Sequence, residues 1–186
     1  MGNRFSFFEK KVDSTTVFTG KLINVREDTV ELVNGKLTGR EIVDHPGGVT
    51  VLAVDTDKKV YMVRQYRYAV GGELIEAPAG KMEAGESPIQ SAMRELSEET
   101  GLEAEQWIYF GMTYPSPGFS TETLHLFLAL DLTKREEHPD EDEFLRVEKV
   151  SFDELVDMAK SGAIPDGKTI NILFMAEKYF KDHNMF

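Results

Sequence analysis

The stretch GKMEAGESPIQSAMRELSEETGL, residues 80 to 102, holds the helix that the sequence predicts most strongly. Ser87 is a favourable N-cap, and Pro88 follows it at the first helical position, where a missing N–H costs nothing. Gly101 can adopt the left-handed conformation that ends many helices. These signals predict a helix over residues 88 to 100.

The predicted helix carries two kinds of residue on different faces. Gln90, three residues after Ser87, can complete a capping box at its start. A spacing of i, i+3, i+4 and i+7 predicts one core-facing stripe, formed by Ile89, Ala92, Met93 and Leu96. Three glutamates, Glu95, Glu98 and Glu99, also share a face, which lies to the side of that stripe.

The clustered glutamates on the helix need a positive partner. Two carboxylates about 5 Å apart repel by roughly 3 kcal/mol at an effective dielectric constant of about 20. A hard divalent cation relieves this repulsion and prefers oxygen ligands, so Mg²⁺ or Mn²⁺ suits the site. Taken alone, Glu-x-x-Glu-Glu is also typical of a solvated acidic face, and Arg94 could form an ordinary ion pair with Glu98 one turn later.

The wider spacing favours the metal site. Gly80, Glu86 and the run from Arg94 to Leu102 resemble the Nudix box at every position that defines it. The resemblance implies a metal-dependent pyrophosphohydrolase with an α/β fold, a Nudix-type α/β/α sandwich built on a mixed sheet. It implies four metal ligands, namely the backbone carbonyl of Ala79 and the side chains of Glu95, Glu98 and Glu99.

Other positions of the box have implied roles that are structural or catalytic. Gly80 would let the chain approach the helix closely, because glycine has no Cβ. Glu86 and Arg94 are expected to be structural partners, with the arginine orienting the carboxylates. Glu98 is a second candidate for the general base, beside its role as a ligand.

The segment after the box narrows the resemblance to one branch of the family. Residues 114 to 122 read YPSPGFSTE, and Pro117 lies sixteen residues after Gly101, which is similar to the ADP-ribose pyrophosphatase branch. This implies that Pro117 and Gly118 lie in a substrate loop and that Glu122 is the general base. A turn-rich loop with a solvated glutamate is the alternative interpretation.

Segments before the box resemble the same branch. They are GREIV at residues 39 to 43, RQYR at residues 64 to 67 and EAPAG at residues 76 to 80. The resemblance implies that Arg67 contacts a substrate phosphate or ribose. It implies that Arg40 and Glu41 bind the adenine side, although both could equally be surface charges on a strand. Relatives in this branch pair through N-terminal strands, so a homodimer is expected.

The rest of the chain predicts strands first and helices late, which indicates a mixed α/β layered domain. Residues 16 to 44 read as extended, with a hairpin at Asn34-Gly35 whose two turn residues would both have positive φ. Further strands are predicted at residues 49–54, 60–65, 74–79, 107–114, 124–130 and 144–150, and helices at residues 152–161 and 166–180.

The predicted organisation has an N-terminal strand region at residues 1–44, suited to dimerisation, and a Nudix hydrolase domain at residues 45–186. Residues 135 to 143 form a charged loop, predicted to be a solvated connection. Binding of a second metal or closure over the substrate is the alternative for this loop.

Composition excludes several classes of function. The 186 residues include no cysteine, which excludes disulfides, zinc thiolate sites, thiol nucleophiles and the usual cysteine-dependent form of prenyl diphosphate isomerase chemistry. A net charge of −12 disfavours nucleic acid as a partner. Without a membrane-spanning apolar run or a signal-peptide pattern, we expect a cytoplasmic protein with no membrane partner.

The expected reaction is hydrolysis of ADP-ribose to AMP and ribose 5-phosphate, with a small nucleoside diphosphate compound as the partner. Alternatives are hydrolysis of a nucleotide sugar, NADH or a dinucleoside polyphosphate. A non-catalytic module that senses ADP-ribose belongs to a different class. Such modules typically lack glutamates of the box, whereas this chain keeps all of them.

Overall fold

The computed structural model describes residues 7–134 and 144–185. The charged segment at residues 135–143, predicted to be a solvated connection, lies outside the described residues. No helix within the described ranges combines the length and apolarity needed to cross a lipid bilayer.

The chain divides into two compact units. The first comprises Met1–Gly47 and Tyr114–Glu122, and the second comprises Gly48–Thr113 and Thr123–Phe186. The predicted division between residues 44 and 45 stays a prediction.

The first unit contains a three-stranded antiparallel sheet. Its strands, in spatial order, are β1 (Lys10–Thr19), β2 (Asn24–Glu31) and β3 (Leu37–Asp44). Strand β1 begins six residues before the predicted extended region. It is exposed along its whole length, so its sequence carries no burial pattern that would mark its start.

The hairpin between β2 and β3 is confirmed, but the predicted turn geometry is wrong. Gly35 has a φ of 79°, whereas Asn34 does not have a positive φ. The Leu32 N–H donates to the Lys36 carbonyl at 2.9 Å, so three residues form the connection. Three-residue connections commonly need a left-handed conformation only at their last residue, here Gly35.

The described residues of the second unit form a seven-stranded mixed sheet. Strands β4 and β9 are parallel, while the other pairs are antiparallel, and the main path runs β10-β5-β4-β9-β8 with β6 beside β5 and β7 beside β4. The strands are β4 (Gly48–Val54), β5 (Lys59–Arg67), β6 (Gly72–Glu76), β7 (Ala79–Lys81), β8 (Leu102–Thr113), β9 (Leu124–Lys134) and β10 (Leu145–Ser151).

The prediction of a single strand at residues 74–79 is wrong, because the structure has two strands there. Strand β6 pairs with β5 and ends at Glu76, and β7 begins at Ala79 and pairs with β4. Pro78 lies between them and has no N–H to donate to a strand ladder. Its carbonyl accepts the Val51 N–H at 2.8 Å, which marks the change of partner strand.

Helices cover both faces of this sheet, which confirms the predicted α/β/α sandwich. Helix α1 (Pro88–Thr100) packs on one face, where Ala92 and Leu96 join alternate residues of β4 and β9 in one core cluster. Helices α2 (Phe152–Ser161) and α3 (Gly167–Asp182) pack with the intervening β4 and β9 residues in the other cluster. The alternation of side chains along each strand produces the two cores.

The buried face of α1 differs from the predicted stripe. Met93 is 46% exposed, whereas Glu95 and Glu99 are only 8% and 4% exposed. Ala92 and Leu96 are fully buried as predicted. The helix therefore turns Glu95 and Glu99 toward the protein rather than toward solvent, because β7 runs beside it at that position.

Candidate active site

Both ends of α1 carry the capping residues that were predicted from the sequence. The Ser87 N–H donates to Gln90 Oε1 at 2.9 Å, which supplies the Gln90 half of the predicted capping box. Gly101 has a φ of 63°, and its N–H donates to the Ser97 carbonyl at 2.9 Å. The glutamates therefore lie on the last turns of a helix with a defined end.

Gly80 brings the backbone of β7 against α1, as predicted. Gly80 pairs with Val49 on β4, and a Cβ placed on Gly80 would lie 2.0 Å from Oε1 and Cδ of Glu95. No side chain fits into that space. The Glu95 carboxylate can therefore occupy this position only because Gly80 has no side chain.

Replacing Gly80 by alanine should displace the Glu95 carboxylate and destabilise the fold by about 1–3 kcal/mol, the usual cost of inserting atoms into packed space. Thermal unfolding measures the stability, and hydrolysis of substrate measures the site. Gly72, whose Cβ would meet nothing within 4 Å, provides the matched control. An unchanged melting temperature and activity for Gly80→Ala would contradict the close contact.

Arg94 joins the carboxylates of the box. Its guanidinium donates to Glu86 at 3.0 Å, to Glu95 at 2.8 Å, to Glu98 at 2.9 Å and to the Lys81 carbonyl at 2.9 Å. The hydrogen bond from Arg94 is the main reason why the pKa of Glu86 falls to about 2. These contacts support the structural roles predicted for Glu86 and Arg94.

The backbone at Ala79 faces the helix. Its N–H donates to Glu99 Oε2 at 3.0 Å, while the neighbouring Pro78 carbonyl binds Val51 and Gly80 pairs with β4. The N–H and C=O of one residue in a strand point toward the same edge. The Ala79 carbonyl is therefore directed toward α1, which fits its predicted role as a ligand.

The donor set fits a hard divalent cation, although the side chains are not arranged around one. Within residues 7–134 and 144–185, no group of three or more histidine or acidic side chains has an arrangement that could hold a metal. Arg94 contacts both Glu95 and Glu98 instead. Three carboxylates and a carbonyl are nevertheless ligands that Mg²⁺ and Mn²⁺ prefer, and burying carboxylates favours a positive group beside them. The ligand assignments stay predictions.

Arg67 lies in a second charged group of the same unit. Its guanidinium donates to both carboxylate oxygens of Glu76, each at 2.8 Å, and the Lys168 ammonium contacts the same carboxylate. The role of Arg67 toward substrate stays a prediction. Sequence reasoning assigned no role to Glu76 or Lys168, although Glu76 begins the EAPAG segment that resembles the ADP-ribose pyrophosphatase branch.

The loop with Pro117, Gly118 and Glu122 belongs to the first unit. The Val43 N–H donates to the Phe119 carbonyl at 2.8 Å, which ties the loop to β3. The structure places Pro117 and Gly118 at the exposed turn of this loop. Their contact with substrate stays a prediction.

The Glu122 carboxylate lies near the His45 imidazole. Its Oε1 is 3.9 Å from His45 Nδ1, and that nitrogen accepts the Gly47 N–H at 3.1 Å. The predicted role of Glu122 as base stays a prediction.

Arg40 and Glu41 are consecutive residues of β3, so their side chains point to opposite faces of the sheet. The Arg40 guanidinium donates to both carboxylate oxygens of Glu9, at 2.9 and 2.7 Å. Glu41 is exposed. The structure therefore does not bring these two side chains together, and their substrate-binding roles stay predictions.

Comparisons with known proteins cover nearly the whole chain. The family model described as NUDIX domain matches residues 44–171, and the model described as nucleoside diphosphate sugar hydrolase N-terminal domain matches residues 9–43. A solved structure described as an ADP compounds hydrolase superposes with a TM-score of 0.84 over 96% of this chain and 97% of that chain. At 21% identity, it shows a shared fold.

Curated relatives give higher sequence identity. The ADP-ribose pyrophosphatase of Bacillus subtilis (strain 168) is 43% identical over 166 residues, which cover 88% of this chain and 90% of the relative. The methanol dehydrogenase activator of Bacillus methanolicus is 42% identical over 166 residues, with the same two coverages. The complete box, the sandwich fold and these matches lead to one conclusion: the chain belongs to the Nudix family.

Proposed function

We propose that this chain hydrolyses the diphosphate bond of ADP-ribose to AMP and ribose 5-phosphate, with Mg²⁺ as cofactor and Mn²⁺ as its alternative. The observation that carries the proposal is the pair of buried glutamates on α1, Glu95 and Glu99, packed against the β7 backbone at Ala79 and Gly80. The 43% identity to an ADP-ribose pyrophosphatase supports the choice of substrate.

The residues proposed to hold the cation are Ala79, through its carbonyl, and Glu95, Glu98 and Glu99. When bound, a divalent cation supplies positive charge opposite the diphosphate and makes water more acidic. Arg94 donates to Glu95 and Glu98 and so orients the carboxylates. The burial of Glu95 and Glu99 limits the motion of the ligands.

The proposed reaction needs a base and a counter-charge for the phosphates. The oxygen of water forms a bond to one phosphorus, and the bridging oxygen departs on the other phosphate. Glu122, or alternatively Glu98, takes the proton of the attacking water. Arg67 stabilises negative charge on the phosphates through charge-assisted hydrogen bonds. Arg40, Glu41, Pro117 and Gly118 are proposed to contact the rest of the substrate.

A panel of substrates tests the proposal. ADP-ribose, a nucleotide sugar, NADH and a dinucleoside polyphosphate are each incubated with the protein and Mg²⁺, and release of nucleoside monophosphate is followed. We expect ADP-ribose to give the highest kcat/KM. Fast turnover of another compound without turnover of ADP-ribose would overturn the substrate assignment. Tight binding of ADP-ribose without turnover of any compound would indicate a sensing module instead.

We also propose that the chain forms a homodimer through its first unit. Strand β1 is exposed over its whole length and presents apolar side chains, among them Val12, Val17 and Phe18. Exposed apolar surface on an edge strand favours association with another chain. Light scattering should give twice the 21.0 kDa of one chain, and the mass of a single chain at micromolar concentration would contradict the dimer. The cytoplasmic location stays a prediction.

A further inference from the structure

Glu76 is a buried carboxylate with two cationic partners. It ends β6 and its side chain is 1% exposed. Arg67 on β5 binds it with Nε on Oε1 and Nη2 on Oε2, each at 2.8 Å. The Lys168 ammonium contacts Oε2 from the start of α3. Both oxygens of this carboxylate are therefore held by charged donors.

The start of α3 fixes the position of Lys168. Asp166 caps the helix by accepting the Thr169 N–H at 3.1 Å and the Thr169 hydroxyl at 2.5 Å, and it also accepts from Lys168 at 3.0 Å. The Thr169 hydroxyl in turn accepts the N–H of Ala77 at 2.8 Å. The residue that follows Glu76 is thus bound directly to α3, which leaves the Glu76 carboxylate little freedom.

Electrostatics links this group to the glutamates on α1. Burial by itself raises the pKa of Glu76, but the hydrogen bond from Arg67 and the charge of Lys168 outweigh it, so the pKa lies below its usual value. The hydrogen bond to Glu76 raises the pKa of Arg67, and the charges of Glu99 and Asp166 add to the effect. Arg67 therefore lies within the electrostatic field of Glu99, a candidate metal ligand.

The two ends of the Arg67–Glu76 pair differ in exposure. The Arg67 side chain is 40% exposed, whereas Glu76 is inaccessible to solvent. A guanidinium has five N–H donors, and the pair uses two of them. The pairing with Glu76 holds the Arg67 guanidinium rigidly. Within the described residues, it leaves three N–H donors of Arg67 that can still bind a ligand. A planar fork of this kind suits a phosphate group.

We propose that Glu76 is a positioning residue for diphosphate cleavage: it locks one edge of the Arg67 guanidinium so that the remaining donors face a phosphate of the substrate. Lys168 pairs with both Glu76 and Asp166, so the two carboxylates and the two cations of this group balance in charge. The proposal rests on the proposed function because the anion in question is the diphosphate. Its physical basis is preorganisation, since an arginine that is already held loses less conformational freedom on binding.

A double-mutant cycle tests whether Glu76 acts through Arg67. Glu76→Gln and Arg67→Gln should each lower kcat/KM for ADP-ribose by about ten- to a hundredfold, the cost of a charge-assisted hydrogen bond. The double variant should be no worse than Arg67→Gln, because Glu76 has nothing left to position. Additive losses in the double variant would overturn the proposal.

Two further variants separate positioning from folding. Glu76→Gln leaves Lys168 with less negative charge beside it, so Glu76→Gln/Lys168→Met restores the charge balance. We expect this double variant to regain thermal stability while its kcat/KM stays as low as that of Glu76→Gln. Recovery of kcat/KM together with stability would contradict the positioning role. The matched control is Glu148→Gln, which breaks the similar Arg64–Glu148 pair at 2.6 and 3.0 Å and should leave kinetics unchanged.

A spectroscopic measurement does not depend on the substrate. The Arg67 Nε–Hε resonance should be shifted and slow to exchange in the unaltered protein, because a carboxylate holds that N–H, and Glu76→Gln should remove both properties. If ADP-ribose is not hydrolysed while the resonance behaves as expected, the proposed function fails but the locking of Arg67 stands. If hydrolysis is found and Glu76→Gln leaves the resonance unchanged, the positioning role fails.

Discussion

Replacing Glu99 by glutamine should lower Mg²⁺-dependent turnover by at least about a hundredfold, because even groups that only support a metal ligand cost ten- to a hundredfold when removed. Glu99 is buried on the last turn of α1, and its Oε2 accepts the Ala79 N–H at 3.0 Å. Glutamine keeps the size of the side chain but loses the charge that a cation requires. The measurement is kcat and KM for ADP-ribose over a titration of Mg²⁺.

The control for Glu99 is Glu105→Gln, because Glu105 is an exposed residue on β8. It carries the same change of charge and should leave turnover unaffected. We expect the loss in Glu99→Gln to shrink as Mg²⁺ rises, since weaker affinity for the metal is part of the defect. Full turnover of Glu99→Gln at every Mg²⁺ concentration would contradict the metal assignment.

Replacing Glu122 by glutamine should lower kcat by at least about a hundredfold and change KM little, because a general base usually contributes about a hundred- to ten-thousandfold. In the structure, Glu122 Oε1 lies 3.9 Å from His45 Nδ1. The measurement is the pH dependence of kcat, whose acidic limb should disappear in the variant.

Glu98→Gln is the decisive comparison for the base. Glu98 accepts a hydrogen bond from Arg94 at 2.9 Å. A loss below about tenfold in Glu122→Gln, together with a larger loss and a missing acidic limb in Glu98→Gln, would transfer the role to Glu98.

The sequence predicted α1 because the signals at its ends are local, and the resemblance of the box implied its contact with Gly80. Ser87, Pro88 and Gly101 mark the ends of the helix through backbone chemistry that does not depend on the rest of the chain. The sandwich fold followed from the order of strands and helices together with the resemblance of the box. Alternating apolar residues of β4 and β9 supply the two cores that this fold requires.

Features that depend on distant partners could not be predicted. Lys168 lies 92 residues from Glu76 in the sequence, and a lone acidic residue in a predicted strand does not indicate which cation will meet it. Met93 fits the helical spacing of a core residue, yet β7 occupies one side of the helix, and Glu95 and Glu99 are buried instead. The strand predicted at residues 74–79 divides because its two halves pair with different strands.

Phosphorus NMR of ADP-ribose during turnover tests the central claim most directly. With Mg²⁺ present, the two coupled diphosphate signals should be replaced by two phosphomonoester signals, those of AMP and ribose 5-phosphate, and chelation of the metal should stop the change. Persistence of the diphosphate signals under these conditions, or conversion that continues after chelation, would contradict metal-dependent cleavage of a diphosphate bond by the glutamates of α1.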